Sequence, residues 1–262
     1  MDDREVLCLA VLQELLDFES DHHYQAWLHS DPLMRRLLSR QNFANRRALQ
    51  TPLLACLTQG FCAMHADDQP PFSSSTPIRS MSAVPSAPAS GNVLADWRSG
   101  VTARRSSAGS TAYASPLIFS TKGYIAHVQQ IPGNRHDVQG LYALLKTAFE
   151  GHLLGDNAYW PKREKRAALE RQNIRVTAAS RSNWQYQHAQ PVAESLRRHR
   201  SSIERRIGLF DRQFHTQNTL NRSRRHYEAR RWTKALAHNL SRHVNHANGW
   251  PQESLAHYRL AS

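Results

Sequence analysis

Two acidic residues, far apart in the sequence, stand where carboxylates could bind a hard cation. Asp156 directly follows a short apolar segment, residues 152–155, and ligand sites in α/β folds lie at the carboxyl ends of strands. Glu204 lies at the edge of an apolar helical stripe, so it can face the same sheet. Carboxylate oxygens suit Mg²⁺, and a pair of divalent ions about 3.5–4 Å apart can activate an attacking hydroxyl and stabilise the leaving oxygen of a phosphodiester.

Each acid also has an ordinary structural explanation, which the residues alone leave open. An aspartate after a strand often caps a helix or a turn. A glutamate on a basic helix commonly forms an ion pair, and Arg200 lies one turn before Glu204. Arg200 could therefore orient Glu204 or hold a phosphate.

The chain carries a strong and uneven positive charge. Its 262 residues include 34 Lys and Arg against 21 Asp and Glu, for a net charge of +13, and this surplus favours a polyanionic partner such as nucleic acid. Residues 1–31 hold eight acids and one base, whereas residues 196–243 hold thirteen bases and three acids. We expect phosphate contacts in the C-terminal part, from Arg197, Arg200, Arg205, Arg224, Arg225, Arg230 and Arg231.

Other residue types give weaker indications. The three cysteines have no Cys-x-x-Cys spacing, which fits a reducing, cytosolic setting, and no apolar run approaches the roughly 18 residues of a membrane span.

The histidines lack familiar zinc spacing, so we expect them to be solvated or to face DNA. Arg46 and Arg47 are either solvated or in contact with DNA. Three tryptophans could stack on bases, although core packing is the commoner role: Trp160, Trp184 and Trp232.

The hydrophobic pattern predicts an α/β fold, with a mixed sheet flanked by helices and preceded by an N-terminal helical domain. The expected divisions are helices over 1–65, a sheet-containing domain over 66–245 and a tail over 246–262. The sheet-containing domain should begin with a strand over 72–78 and a Ser/Pro-rich mobile loop over about 80–112. A hairpin over 113–131 with Gly123 in its turn should follow. After a helix, the rest is expected as a strand over 152–155, a helix over about 161–172, a strand over 173–177 and two helices reaching about residue 244.

Three segments resemble motifs of bacterial insertion-sequence transposases of the DDE type. Residues 155–159 (GDNAY) are similar to the G-D-x-x-Y segment around the second acid of these proteins, and residues 200–204 (RSSIE) to the R-x-x-I-E segment around the third. Residues 132–137 (PGNRHD) resemble the P-x-N-x-H-D segment between them. The resemblance covers nearly the whole chain, most firmly 113–245. It implies an RNase H-like fold of the retroviral-integrase type.

The first acidic motif departs from the family pattern. These transposases have Asp, Ser, a variable residue and Pro on the first strand, whereas this chain has SSTP over residues 74–77. Ser74 is uncharged at neutral pH and is a poor ligand for Mg²⁺. Asp68 lies about 20 Å upstream along an extended strand, which is too far to replace it. Asp96 remains open as a replacement, and Asp137 is better suited to cap a helix.

The resemblance implies transposition: binding of double-stranded DNA at transposon ends and target, and metal-dependent cleavage and strand transfer. Asp156 and Glu204 would be ligands of Mg²⁺ or Mn²⁺, and Ser74 would mark the missing first acid and impair catalysis. A homodimer on DNA and a cytoplasmic, nucleoid-associated location are further expectations. Two alternatives stay open, a non-catalytic DNA-binding or regulatory protein derived from a transposase and an unrelated basic RNA-binding module.

Overall fold

The computed structural model describes most of the helical and sheet regions of the chain. The described residues are 2–32, 39–65, 93–96, 113–114, 116–132, 138–146, 150–180, 183–185, 187–216 and 223–254. Ser74, the strand expected over 72–78 and residues 133–137 of the PGNRHD segment lie outside these residues.

Four helices form the N-terminal part: α1 (Asp3–Leu15), α2 (Asp21–Ser30), α3 (Arg40–Leu49) and α4 (Thr51–Met64). A capping box begins α1, because the Asp2 carboxylate accepts from the Glu5 amide while the Glu5 carboxylate accepts from the Asp2 amide. Pro52 lies in the first turn of α4. A proline is tolerated at this position but not in a helix interior, so it separates α3 from α4.

Five short strands follow: β1 (Val93–Asp96), β2 (Tyr113–Ala114), β3 (Leu117–Ser120), β4 (Ile125–Val128) and β5 (Ile131–Pro132). The order β1-β3-β4 is antiparallel throughout, and β2 pairs with β5. The turn between β3 and β4 has Gly123 at φ +84°, as the sequence predicted. Residues 93–96, within the segment over 80–112 that was predicted to be mostly loop, form strand β1 and pair with β3.

The C-terminal half alternates helices and strands. Its elements are α5 (Val138–Ala143), β6 (Gly151–Gly155), α6 (Arg163–Arg171), β7 (Ile174–Ala178), α7 (Gln190–Phe214) and α8 (Arg224–Ala247). Strands β6 and β7 are parallel, with Gly155 opposite Ala178. Asn245 near the end of α8 donates to the carbonyls of Pro251 and Ser254, which ties the following residues to that helix.

The strands and long helices form a mixed α/β arrangement. Strand β1 lies beside β6, although the two belong to separate hydrogen-bonded sheets, and α7 contacts both of them. Helix α8 contacts α1, α3, α4 and β4. The predicted fold class, an α/β fold with helices at the N-terminus, is confirmed.

The N-terminal helices share a hydrophobic core with the sheet. Leu7 of α1 and Leu54 of α4 belong to the same buried cluster as Phe119, Leu154 and Trp232. A buried polar bridge connects the same layers, because Asn239 of α8 accepts from the Ile125 amide and donates to the carbonyls of Ile125 and Thr58. Helix α8 is therefore anchored both to the edge strand β4 and to α4.

Candidate active site

The conformation around Asp156 is set by the residues on either side of it. Asp156 follows β6 and caps a short 3₁₀ turn, Asn157–Tyr159, where its Oδ1 accepts from the Ala158 amide at 2.8 Å. Tyr159 is 1% exposed, and a Cβ added to Gly155 would lie 3.1 Å from the Tyr159 Cβ. The glycine thus makes room for the tyrosine, the tyrosine anchors the turn, and the Asp156 carboxylate is fixed at the carboxyl end of the strand.

Glu204 lies on α7 beside a buried residue. Ile203 is 2% exposed in the main core, which fixes the rotation of the helix and leaves the neighbouring Glu204 at the surface. Arg200 Nε donates to Glu204 Oε1 at 2.9 Å. The two side chains are 43% and 39% exposed, so the ion pair orients the carboxylate more than it stabilises the fold.

A pocket of about 290 Å³ lies between β6, the segment after β7, and α7. Its apolar wall includes Leu154, Leu196 and Ile203, and Asp156 and Arg200 both line it. Glu204 itself is not among the lining residues, but it follows Ile203 on α7, so the pocket brings together the segments that carry the two acids. The remaining lining residues are Gly155, Ala179, Ser180, Gln187, His188, Ala193, Arg197 and His199.

The comparison with protein families gives one match, over residues 103–240, to the family described as Transposase DDE domain. This span is more than half of the chain. The chain belongs to this family. No curated protein and no solved structure matches the chain. The span matched to the transposase family contains Asp156 and Glu204 but begins after Ser74 and Asp96, so it leaves the first acid of this transposase open.

The pocket of the transposase suits a divalent cation only together with further ligands. Asp156 and Glu204 offer hard oxygen donors, and DDE transposases generally use divalent ions. Within the described ranges, however, no group of three or more His, Cys, Asp or Glu side chains is arranged to hold a metal ion. Arg197 and Arg200 add positive charge to the pocket. Of the two acids, Asp156 is the one that lines the pocket, so a divalent ion there would need further ligands such as the oxygens of a bound phosphate.

Five of the seven arginines expected to contact phosphate are exposed. Three lie on α7 and two lie at the start of α8: Arg197, Arg200, Arg205, Arg224 and Arg225. Arg205 forms a long ion pair with Glu253, at 3.5 Å, and Arg224 donates to Gln130 at 3.3 Å.

The other two arginines lie in the interior, and their predicted phosphate contacts are corrected. Arg230 is 3% exposed and pairs with Glu14 and Asp21, while Arg231 is 6% exposed and donates to the Thr216 carbonyl. Glu14 and Asp21 of the acidic N-terminal helices therefore neutralise the buried charge of Arg230. The eight acids of residues 1–31 were the signal in the sequence for this pairing.

Arg47 and the histidines also differ from expectation. Arg47 is fully buried and pairs with Asp21 at 2.9 Å, so it is neither solvated nor in contact with DNA. His238 is buried and its Nε2 bonds the Gly123 carbonyl at 3.0 Å, whereas His243 bonds His65 at 2.9 Å. His238 is structural, because buried polar groups need partners, whereas His243 is half-buried.

Sequence reasoning missed the polar residues that reach the pocket from the segment after β7 and from α7. His188 Nε2 bonds the Ala178 carbonyl at 2.8 Å, which holds this segment against the end of β7. Burial, together with Arg198 and Arg206, lowers the pKa of His199, so its ring is neutral at neutral pH. The available signal was that the segment carrying His188 follows a strand parallel to β6. Among the described residues, no helix is long and apolar enough to cross a membrane.

Proposed function

We propose that this transposase cleaves and joins DNA at transposon ends, with Asp156 and Glu204 as ligands of a divalent cation. The observation that carries the proposal is a single pocket between the two segments. Asp156 lines this pocket from the end of β6. Arg200, which is hydrogen-bonded to Glu204, and Ile203, which precedes Glu204, line it from α7. Family membership supports DNA transposition as the process. Mg²⁺ is the proposed ion, with Mn²⁺ as its closest replacement.

The chain's own residues would prepare the site for a phosphodiester. A bound divalent cation would stabilise charge on the attacking and leaving oxygens. The Ala158 amide holds the Asp156 carboxylate in place, so little reorganisation is needed when the substrate binds. Arg200 orients Glu204, and Arg197 and Arg205 are exposed on the same helix to hold the DNA backbone. Leu154 and Leu196 keep water from one wall of the pocket.

The first acid has two candidate positions. The resemblance places it at Ser74, which has no carboxylate, and this vacancy would impair catalysis. A second candidate is Asp96, because β1 ends at this residue and contacts both β6 and α7, the elements that carry Asp156 and Glu204. We propose Asp96 as the first acid, since the three carboxylates must converge from separate elements.

The test is nicking of a supercoiled plasmid that carries the transposon ends, with Mg²⁺ or Mn²⁺ added. Asp156→Asn and Glu204→Gln should lose nicking by at least about 100-fold, because even outer-shell changes at metal sites cost 10–100-fold, and should keep DNA affinity. Glu194→Gln on α7 is the matched control and should nick normally. Folded Asp156→Asn and Glu204→Gln proteins that nick at the normal rate would overturn the proposal.

The same assay separates the candidates for the first acid. If Asp96 is the first acid, Asp96→Asn abolishes nicking and Ser74→Asp adds nothing. If Ser74 marks a vacant position, the unaltered protein nicks poorly and Ser74→Asp raises the rate. A protein that binds transposon ends tightly but never nicks, even with Ser74→Asp, would be a non-catalytic DNA-binding derivative. An unfilled position of the first acid would favour this function.

Assembly and location follow from the same proposal. Joining two ends requires both to be held at once, so we propose a homodimer on DNA. A protein that acts on chromosomal DNA would be found in the nucleoid-containing cytoplasm. Size measurement of the protein–DNA complex tests the first statement, and fluorescence microscopy of the tagged protein tests the second.

A further inference from the structure

Two tryptophans lie at the same sheet edge as Asp156. Trp160 ends the turn that follows β6, and Trp184 lies in the segment that follows β7. Because β6 and β7 are parallel and Gly155 is opposite Ala178, both segments leave the sheet at one edge. The topology therefore places both tryptophans at the sheet edge where Asp156 lies, although neither lines the pocket itself.

The two rings contact each other and remain partly exposed. Their centroids are 5.0 Å apart and their planes are at 75°, which is an edge-to-face arrangement. Trp232, the other tryptophan of the sequence prediction on base stacking, is 4% exposed in the main core. A side chain buried to this extent cannot stack on a ligand. Trp160 and Trp184 are intermediate in exposure, so both remain accessible.

Positive charge and the pocket adjoin this pair. The guanidinium of Arg166 lies 5.0 Å from the Trp160 ring centre, and the His188 ring lies 6.2 Å from the same ring. His188 and its neighbour Gln187 also line the pocket that contains Asp156. The aromatic pair is thus continuous with the candidate active site.

The segment that carries Trp184 is held by hydrogen bonds. Gln187 Nε2 donates to the Trp184 carbonyl at 2.8 Å, and Gln187 Oε1 accepts from the Ser180 hydroxyl at 2.9 Å. His188 is bonded to the end of β7. A ring held in place before the ligand arrives loses little freedom on binding.

We propose that Trp160 and Trp184 form a stacking site for an unpaired base of the DNA strand that enters the pocket. The inference rests on the proposed function, since it assigns part of the same substrate. An aromatic face gains from stacking on a base of any sequence, and Arg166 adds a cation for the adjacent phosphate. Paired bases inside a duplex are already stacked, so the ligand is a single-stranded end or an extruded nucleotide.

Binding measurements without a divalent ion test the stacking site separately from catalysis. The probes are a fluorescent blunt DNA duplex, the same duplex with a single-stranded DNA tail, and the same duplex with an RNA tail. The full chain should prefer the DNA-tailed duplex to the blunt one. Trp184→Ala and Trp160→Leu should each lose about tenfold in affinity for the tailed probe and should bind the blunt duplex normally.

Matched variants decide between the outcomes. Trp184→Phe should keep most of the preference because it keeps an aromatic face, and Trp27→Leu, an exposed tryptophan on α2, should have no effect. Asp156→Asn should keep the preference for the tail even if it abolishes nicking. Failure of the catalytic proposal can therefore be distinguished from failure of the stacking proposal. The inference is overturned if Trp184→Ala and Trp160→Leu keep the tail preference or weaken binding to both duplexes equally. A stronger preference for the RNA tail would overturn the assignment to DNA.

Discussion

Arg230 of α8 forms an ion pair with Glu14 of α1 in the protein interior, where the side chains are 4% and 3% exposed. The Arg230 guanidinium also bonds Asp21 at 2.7 Å. Arg47 contacts Asp21 from α3, and the two arginines hold the pKa of Asp21 at about 2 although burial alone would raise it. Four helices are therefore joined by one buried charge network.

Removal of one charge from this network should destabilise the fold strongly. Arg230→Met leaves Glu14 and Asp21 buried with too little positive charge, and breaking a buried pair costs about 3–5 kcal/mol. Urea unfolding of the full chain measures the loss. Arg225→Met, an exposed arginine on the same helix, should change the free energy of unfolding by less than about 0.5 kcal/mol. Equal effects of the two substitutions would contradict the buried network.

The exposed arginine Arg225 should contribute to DNA affinity instead. Arg225→Ala should weaken binding of all DNA sequences alike and reduce the salt dependence of binding by about one ion, because one phosphate contact is lost. Arg46→Ala is the control, since Arg46 pairs with Asp3 in the N-terminal helices. Fluorescence anisotropy at several salt concentrations gives both values, and an unchanged salt slope in Arg225→Ala would argue against the contact.

Replacement of Gly123 should destabilise the protein, because its turn leaves no room for a side chain. Its φ is +84°, and a Cβ would lie 3.0 Å from both Arg206 Nε and the Arg242 guanidinium. Arg206 and Arg242 donate to the carbonyls of this turn, so neither can move away freely. Gly123→Ala should cost about 1–3 kcal/mol. Gly208→Ala on α7, where an added Cβ has no heavy atom within 4 Å, should be neutral or stabilise the protein by up to about 1 kcal/mol. Thermal unfolding compares the Gly123→Ala and Gly208→Ala proteins.

Stability should fall in mild acid because His238 is buried in its neutral form. Burial, with Arg242 and Arg206 nearby, lowers the pKa of His238 to about 3. Between the ordinary histidine pKa of about 6.5 and this value, the unfolded chain binds a proton that the folded chain does not, so unfolding becomes easier as pH falls, by up to about 1.4 kcal/mol per pH unit.

The control for this pH effect is a variant that keeps a donor to the turn. His238→Gln can still reach the Gly123 carbonyl but does not titrate. Its free energy of unfolding should change less than that of the unaltered chain between neutral pH and about pH 5, measured by urea unfolding. His127 is also buried with a lowered pKa, so some dependence remains, and identical pH profiles would rule out the role of His238.

Local sequence signals predicted the elements that carry the candidate site. Strands β6 and β7 were identified from the apolar run before Asp156 and the apolar segment before Ala179. Helix α7 was identified from the stripe of Ile203, Ile207 and Phe210. Each of these patterns depends on neighbouring residues only. Gly123 was predicted at a turn for the same reason.

Long-range pairings were not predictable from local patterns. Arg230 and Glu14 are 216 residues apart, and a surface arginine and a buried one look alike in an amphipathic helix until the partner is known. Strand β1 has four residues and was hidden by its Ser/Pro-rich surroundings. The contact of Trp160 with Trp184 depends on the parallel alignment of β6 and β7, which the sequence suggested only in outline.

Mn²⁺ binding to the protein–DNA complex, followed by electron paramagnetic resonance, tests directly whether Asp156 and Glu204 hold a divalent cation. Asp156→Asn and Glu204→Gln should each weaken Mn²⁺ binding by at least about tenfold. Glu150→Gln before β6 and Glu194→Gln on α7 should bind Mn²⁺ normally. Normal Mn²⁺ affinity in folded, DNA-bound Asp156→Asn and Glu204→Gln proteins would show that these acids are not the metal ligands.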